Sequence, residues 1–220
     1  MKKLIIFDLD GTLLNTIDDL AHAANHALER GGYPQHEVET YPYYVGNGVG
    51  RLIERVLPAD HRDEATVART RAYFQEYYDR HLWDHTRPYP GIEDLLEDLA
   101  ADGVRLAVAS NKYQAATSAL IARFFPRMPF DAVHGMRPGI PAKPDPSIVF
   151  NILGSTGVAK ADALYVGDSG VDIETARRAC LENVGVSWGF RPVSELRRFY
   201  AEHIASTPAD ILAIARRPLA

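Results

Sequence analysis

Four consecutive apolar residues, Leu4-Ile5-Ile6-Phe7, run into a polar turn at Asp8 to Gly11. A short unbroken apolar run bounded by turn residues suits a strand buried on both faces of a parallel sheet. Similar runs recur at 104–109, 131–134, 163–167 and 183–187. Between them, apolar residues recur at helical spacing over 91–101, 113–125, 146–153 and 171–180. Strands alternating with helices predict an α/β fold, a Rossmann-like three-layer sandwich around a parallel sheet. Residues 16–85 break the alternation. They hold no strand-like run, and Leu20, Ala24, Ala27, Leu28, Leu52 and Val56 recur at three and four. That spacing predicts an α-helical insert, a small cap domain over 16–85, interrupting a core of 1–15 and 86–220. The exit Arg87-Pro88-Tyr89-Pro90-Gly91 should be stiff. Past Phe190 a short helix pair is expected, with a frayed end over 216–220.

Lys and Arg number 24 against 29 Asp and Glu, a formal charge of −5 spread along the chain. This gives no footprint for a nucleic-acid backbone. No apolar stretch reaches membrane-spanning length, and the start lacks the apolar region and cleavage site of a signal peptide. The expectation is a soluble cytoplasmic protein without a nucleic-acid or membrane partner, a monomer or homodimer. A single cysteine, Cys180, rules out an internal disulfide and a Cys-based zinc site. It is read as a buried thiol. The pairs His22/His26 and His81/His85 lack the glutamate of a metalloprotease helix, and are assigned to the surface or to packing.

In open α/β sheets ligands gather beyond the carboxyl ends of the strands. There the chain places Asp8-Leu9-Asp10-Gly11-Thr12, Ser110-Asn111-Lys112, Lys143-Pro144-Asp145-Pro146 and Gly167-Asp168-Ser169-Gly170-Val171-Asp172. An oxygen-only carboxylate cluster suits Mg2+, a hard cation that also accepts phosphate oxygens. A carboxylate can attack phosphorus as a covalent nucleophile. Asp8, Asp10, Asp168 and Asp172 together carry four negative charges. A divalent ion and Lys143 nearly neutralise them. Crowding should hold one carboxyl protonated, which would help Asp10 act as a general acid.

Asp8-x-Asp10-Gly11-Thr12, Ser110, Lys143 and Gly167-Asp168-x-x-x-Asp172 resemble, in order, the four motifs of the haloacid dehalogenase superfamily. The Asp-Gly-Thr-Leu-Leu start, Tyr44-Val45-Gly46-Asn47-Gly48 and Ser110-Asn111-Lys112 are most similar to the phosphoglycolate phosphatases within it. The resemblance covers nearly the whole chain and identifies the insert with that family's cap. It implies a Mg2+-dependent phosphatase acting on a small phosphorylated metabolite. Asp8 would become the phosphoenzyme, while Asp10 protonates the leaving oxygen and then activates water. The metal would be held by Asp8, the Asp10 carbonyl and Asp168, with Asp172 beside it. Gly11, Thr12, Ser110, Asn111 and Lys143 would bind the phosphoryl group. One departure is Asn15 before Thr16, where the family often carries an acid.

Gly46-Asn47-Gly48-Val49-Gly50-Arg51 lacks the spacing and preceding strand of a dinucleotide loop. It can be a flexible helix entry. Its functional alternative is a cap loop in which Gly46, Asn47 and Gly48 meet the substrate and Arg51 pairs a carboxylate. The dehalogenases lack the second acid that Asp10 supplies. Phosphonate-cleaving relatives and sugar-phosphate mutases use a cap lysine, and no lysine occurs between Lys3 and Lys112. Pyrophosphatase, sugar-phosphate phosphatase or mutase action remains the enzymatic alternative, and a metabolite-binding regulatory protein the non-enzymatic one.

Overall fold

The computed structural model describes residues 1–218. Its strands are β1 (Leu4–Phe7), β2 (Leu14–Asn15), β3 (Arg87–Pro88), β4 (Arg105–Tyr113), β5 (Phe130–Met136), β6 (Ala163–Gly167), β7 (Glu182–Val186) and β8 (His203–Ala205). Six of them form one parallel sheet in the order β5-β4-β1-β6-β7-β8. The fully buried β1 is central, with Phe7 level with Val108 of β4 and Val166 of β6. The chain leaves β1 for one side of the sheet and returns to the other. That places the carboxyl ends of β1, β4 and β6 side by side at a switch point, where α/β folds bind ligands.

Alternation along the strands sends Ile5, Phe7, Val108 and Val166 into one core cluster and Leu4, Ile6, Ala107 and Tyr165 into another. The first is covered by α4 (Ile92–Ala101), α5 (Gln114–Phe124) and α9 (Pro208–Ala215), and the second by α6 (Ser147–Thr156) and α7 (Gly170–Ala179). These are the three expected layers.

Between β2 and β3 lie α1 (Ile17–Gly31), α2 (Gly48–Val56) and α3 (Glu64–Tyr78), whose Leu20, Ala24, Leu52 and Phe74 join the first cluster. The two-residue strands β2 and β3 pair antiparallel where this helical stretch leaves and rejoins the sheet. Asp19, buried at the start of α1, accepts hydrogen bonds from the Thr86 amide (2.8 Å) and hydroxyl (2.7 Å) and from the His85 amide. Exit and entry are thus tied together. His26 stacks on Tyr77, and His22 meets His85 edge-on.

Three expectations are corrected. Strand β4 continues through Ser110-Asn111-Lys112 to Tyr113, with irregular pairing after Ala109, so the triplet lies inside the strand. The tail holds α8 (Val193–Arg198) and α9 with β8 between them, parallel to β7. Edge pairing and not an apolar run makes that strand. Cys180 is exposed, in the left-handed turn that closes α7. Of the end expected to fray, Arg216 is held by Asp102 at 2.7 Å, and 219–220 lie outside the described residues.

Candidate active site

The cluster starts from the backbone at the end of β1. Gly11 takes a φ of +84°, and a Cβ there would lie 2.3 Å from Asp168 Oδ2. Only glycine allows this turn to press against Asp168. Asp8 follows β1 directly, Asp168 follows β6, and Asp172 lies in the first turn of α7. Their carboxylate oxygens lie within 4.8 Å of one another.

Lys143 arrives from the β5–α6 connection and is 4% exposed. Its ammonium lies 2.9 Å from Asp8 and 2.7 Å from Asp172, and donates to the Ala109 carbonyl at 2.9 Å and Tyr165 Oη at 3.2 Å. Burial alone would pull this lysine down, but Asp172 and Asp8 hold it well above its ordinary range. Burial, then repulsion from Asp172, pushes Asp8 up to about 7 against the Lys143 charge. The same two causes push Asp168 well up. The raised carboxyls in this cluster are Asp8 and Asp168.

Asp172 carries two roles at once. Its Oδ2 accepts from the Ser169 hydroxyl (2.6 Å) and amide (3.1 Å), a capping box that starts α7, while Oδ1 receives Lys143. Asp168 Oδ2 accepts from the Phe190 amide at 2.7 Å. Asp8 Oδ2 and Asp168 Oδ1 carry no protein hydrogen bond among the described residues. An all-carboxylate donor set whose members repel one another fits a hard divalent cation such as Mg2+.

Asp10 lines the same cavity as Asp8 and Asp168. Lys112 donates to both its oxygens, at 2.9 and 3.1 Å, and Thr16 donates to Oδ1 at 2.7 Å. Ser110, buried on the cavity wall, accepts from the Lys112 amide at 3.1 Å. The side chain of Asn111 spans Lys143 and the insert: its Oδ1 accepts from the Lys143 amide, and its Nδ2 donates to the carbonyls of Lys143 and Gly46. Thr12 has a buried hydroxyl without a partner among the described residues, and is not on the cavity wall.

The loop residues part company. Gly46 and Gly48 line the cavity, and a Cβ on Gly48 would meet Met136 Sδ at 2.9 Å and the Asn111 carbonyl at 3.2 Å. Asn47 accepts from Arg55 at 2.7 Å and lines an adjoining cavity that shares Gly48, Val49, Asn111 and Tyr113 with the first. Arg51 also lies on that cavity, largely exposed and paired with Glu54 at 2.6 Å. Arg191 is the arginine on the catalytic cavity, and it donates to the Val45 carbonyl at 3.0 Å.

Sequence reasoning did not assign Lys112, Tyr78, Arg191 or the Phe190 amide to the site. Lys112 carried a signal, a charged residue beside motif residues at a strand end. The other three are distant in the chain and carry none.

A buried lysine bridging two carboxylates at a sheet switch point, with a third carboxylate and an Asp–Lys pair nearby, suits phosphoryl transfer. A family model described as haloacid dehalogenase-like hydrolase matches residues 5–186. A Thiobacillus denitrificans protein named phosphoglycolate phosphatase is 36% identical over 200 residues, 88% of each chain. One of the same name from Aquifex aeolicus is 31% identical over 210 residues, 96% of this chain and 95% of its own. A solved structure from Lactobacillus delbrueckii subsp. bulgaricus superposes with a TM-score of 0.92 at 34% identity, covering 98% of this chain and 99% of that one. The chain belongs to the haloacid dehalogenase-like hydrolase family, as a phosphatase-type member. Among the described residues no helix is long and apolar enough to cross a membrane.

Proposed function

We propose that the protein hydrolyses a small phosphomonoester of the 2-phosphoglycolate kind through a phospho-aspartate on Asp8, with Mg2+ as its cofactor. The observation that carries this is the Lys143 ammonium, held between Asp8 and Asp172, with Asp8, Asp168 and Asp10 lining one cavity. The names of the relatives from Thiobacillus denitrificans and Aquifex aeolicus support the substrate.

Asp8 attacks phosphorus, forming an Asp8 O–P bond while the bond to the leaving oxygen breaks. Asp10 gives a proton to that oxygen, then takes one from the water that attacks the phospho-aspartate. Ser110 and Lys143 hold the phosphoryl oxygens, and Lys143 offsets charge on Asp8. Asp172 and Asn111 position Lys143 from both sides. Asp8, Asp168 and the Asp10 carbonyl would hold Mg2+, with Asp172 beside it, and the ion would supply charge neutralisation of the phosphoryl oxygens. Residues 16–85 act as a cap domain over the core of 1–15 and 86–220, admitting substrate when open and excluding bulk water when closed. The inner cavity, about 50 Å³, favours a small leaving group.

The test is phosphate release from 2-phosphoglycolate, pyrophosphate and hexose phosphates, with and without Mg2+. Mg2+-dependent release with 2-phosphoglycolate preferred is expected. Preference for pyrophosphate, or isomerisation of a hexose phosphate, defeats the substrate assignment. No release from any ester by folded, Mg2+-loaded protein defeats the enzyme assignment.

A further inference from the structure

A buried hydroxyl on the cavity wall has no acceptor, and a buried ammonium stands beside it. Tyr78 ends α3 on the insert side, is 0% exposed and lines the cavity. Its hydroxyl finds no hydrogen-bond partner among the described residues. Leaving a buried hydroxyl unpaired costs free energy, and native interiors pair nearly all such groups. Lys112, from β4 on the sheet side, is likewise buried. An ammonium has three donors. Asp10 Oδ1 and Oδ2 receive two, and the Tyr78 hydroxyl oxygen is the further acceptor beside the ammonium, which leaves the Tyr78 O–H itself without an acceptor.

The two groups are neighbours, the Lys112 ammonium sitting 4.9 Å from the centroid of the Tyr78 ring. Both are held firmly, Lys112 by its strand and by Asp10, Tyr78 by stacking on Phe74 with ring centroids 5.2 Å apart. Burial outweighs the lowering effect of Lys112 and pushes the Tyr78 hydroxyl up to about 12, so it stays a neutral donor near neutral pH. A neutral donor and a cation side by side match a group that only accepts. A hydroxyl-rich leaving group would also need protein acceptors, and Asn111 Oδ1 is spent on the Lys143 amide. The other cation on the wall, Arg191, donates to the Val45 and Tyr43 carbonyls.

We propose that Tyr78 and Lys112 form the leaving-group subsite of the enzyme, a specificity pair that receives a carboxylate carried by the alcohol half of the phosphoester. This deepens the phosphatase assignment and rests on it. The pair straddles the seam between insert and sheet, so the subsite is complete only with the helices seated as they are here. It also puts the substrate carboxylate next to Asp10 through a shared lysine, which orients the ester oxygen towards the acid that must protonate it.

The experiment compares wild type with Tyr78→Phe on 2-phosphoglycolate and on ethyl phosphate, which has the same carbon count and no carboxylate. Wild type should favour 2-phosphoglycolate. The variant should lose about 10- to 100-fold in kcat/KM on it, mostly through KM, and at least about tenfold less on ethyl phosphate, as expected for a hydrogen bond to a charged group. Its thermal midpoint should not fall below that of wild type, because the hydroxyl makes no hydrogen bond of normal length and angle within the protein. Equal losses on both esters, a lowered midpoint, or a wild type indifferent to the carboxylate overturns the subsite while leaving a phosphatase in place. A wild type that hydrolyses neither ester nor any other phosphomonoester instead overturns the phosphatase assignment, and the subsite with it.

Discussion

On the sheet side of the cavity the Lys143 ammonium is shared among Asp8, Asp172, Ala109 and Tyr165, whereas on the helical side Tyr78 buries a hydroxyl with nothing to receive it. The ammonium in the first arrangement is fully partnered by the protein before any ligand arrives. The second waits for an outside group. A site built this way separates chemistry from choice of substrate. The half that handles the phosphoryl group is rigid and common to many esters, and the half that meets the remainder of the molecule is finished by the ligand.

The largest break in this comparison is Asp8→Asn. Removing the nucleophile should lower kcat by at least about 10⁴-fold in steady-state phosphate release, as losses of covalent nucleophiles do. The fold should survive, since one of three mutually repelling carboxylates loses its charge.

Lys143→Met comes next. It leaves Asp8 and Asp172 buried without their cation, and breaking a buried pair in this way costs about 3–5 kcal/mol. Urea unfolding should show that loss together with near-complete loss of turnover. No comparable loss is expected from Tyr78→Phe. That contrast in stability separates the half of the cavity whose ammonium is already partnered from the half that awaits a ligand.

A third test uses pH and Mg2+. Asp8 is raised from an ordinary carboxylate value to about 7 in the folded protein. Between those values the folded chain keeps a proton that the unfolded chain has released, so stability falls as pH rises through the window. Without divalent cation the thermal midpoint should drop by several degrees between pH 5 and pH 8. Saturating Mg2+ should flatten that slope by stabilising the charged cluster. A midpoint that climbs with pH in the absence of cation contradicts the crowding of Asp8 by Asp172. The smallest effect belongs to Arg51→Ala, on the adjoining cavity and paired with Glu54. Less than about a twofold change in kcat/KM is expected, the usual range for an exposed ion pair.

The half of the site that was legible in the sequence is the sheet half. Asp8, Asp168 and Asp172 sit at fixed offsets from apolar strand runs, so periodicity alone brings them to one rim. Lys143 follows from motif order. The helical half was not legible, because nothing local to Tyr78 distinguishes it from the tyrosines that pack the insert, and its position opposite Lys112 depends on how α3 meets β4. The glycine-rich loop divides, with Gly46 and Gly48 lining the cavity of Asp8 while Arg51 lies exposed on the adjoining cavity, paired with Glu54. In the fold, β8 escaped notice because it is three residues long and pairs at a sheet edge, and β4 was cut short because its last residues are polar for the sake of the site they build.

Acid quenching during turnover of phosphate-labelled 2-phosphoglycolate, followed by peptide mapping, tests the covalent role of Asp8 most directly. Label should be recovered on the peptide carrying Asp8 in wild type and be absent from Asp8→Asn. Label that never enters the protein while free phosphate is produced, or hydrolysis that persists in the pure variant, would contradict it.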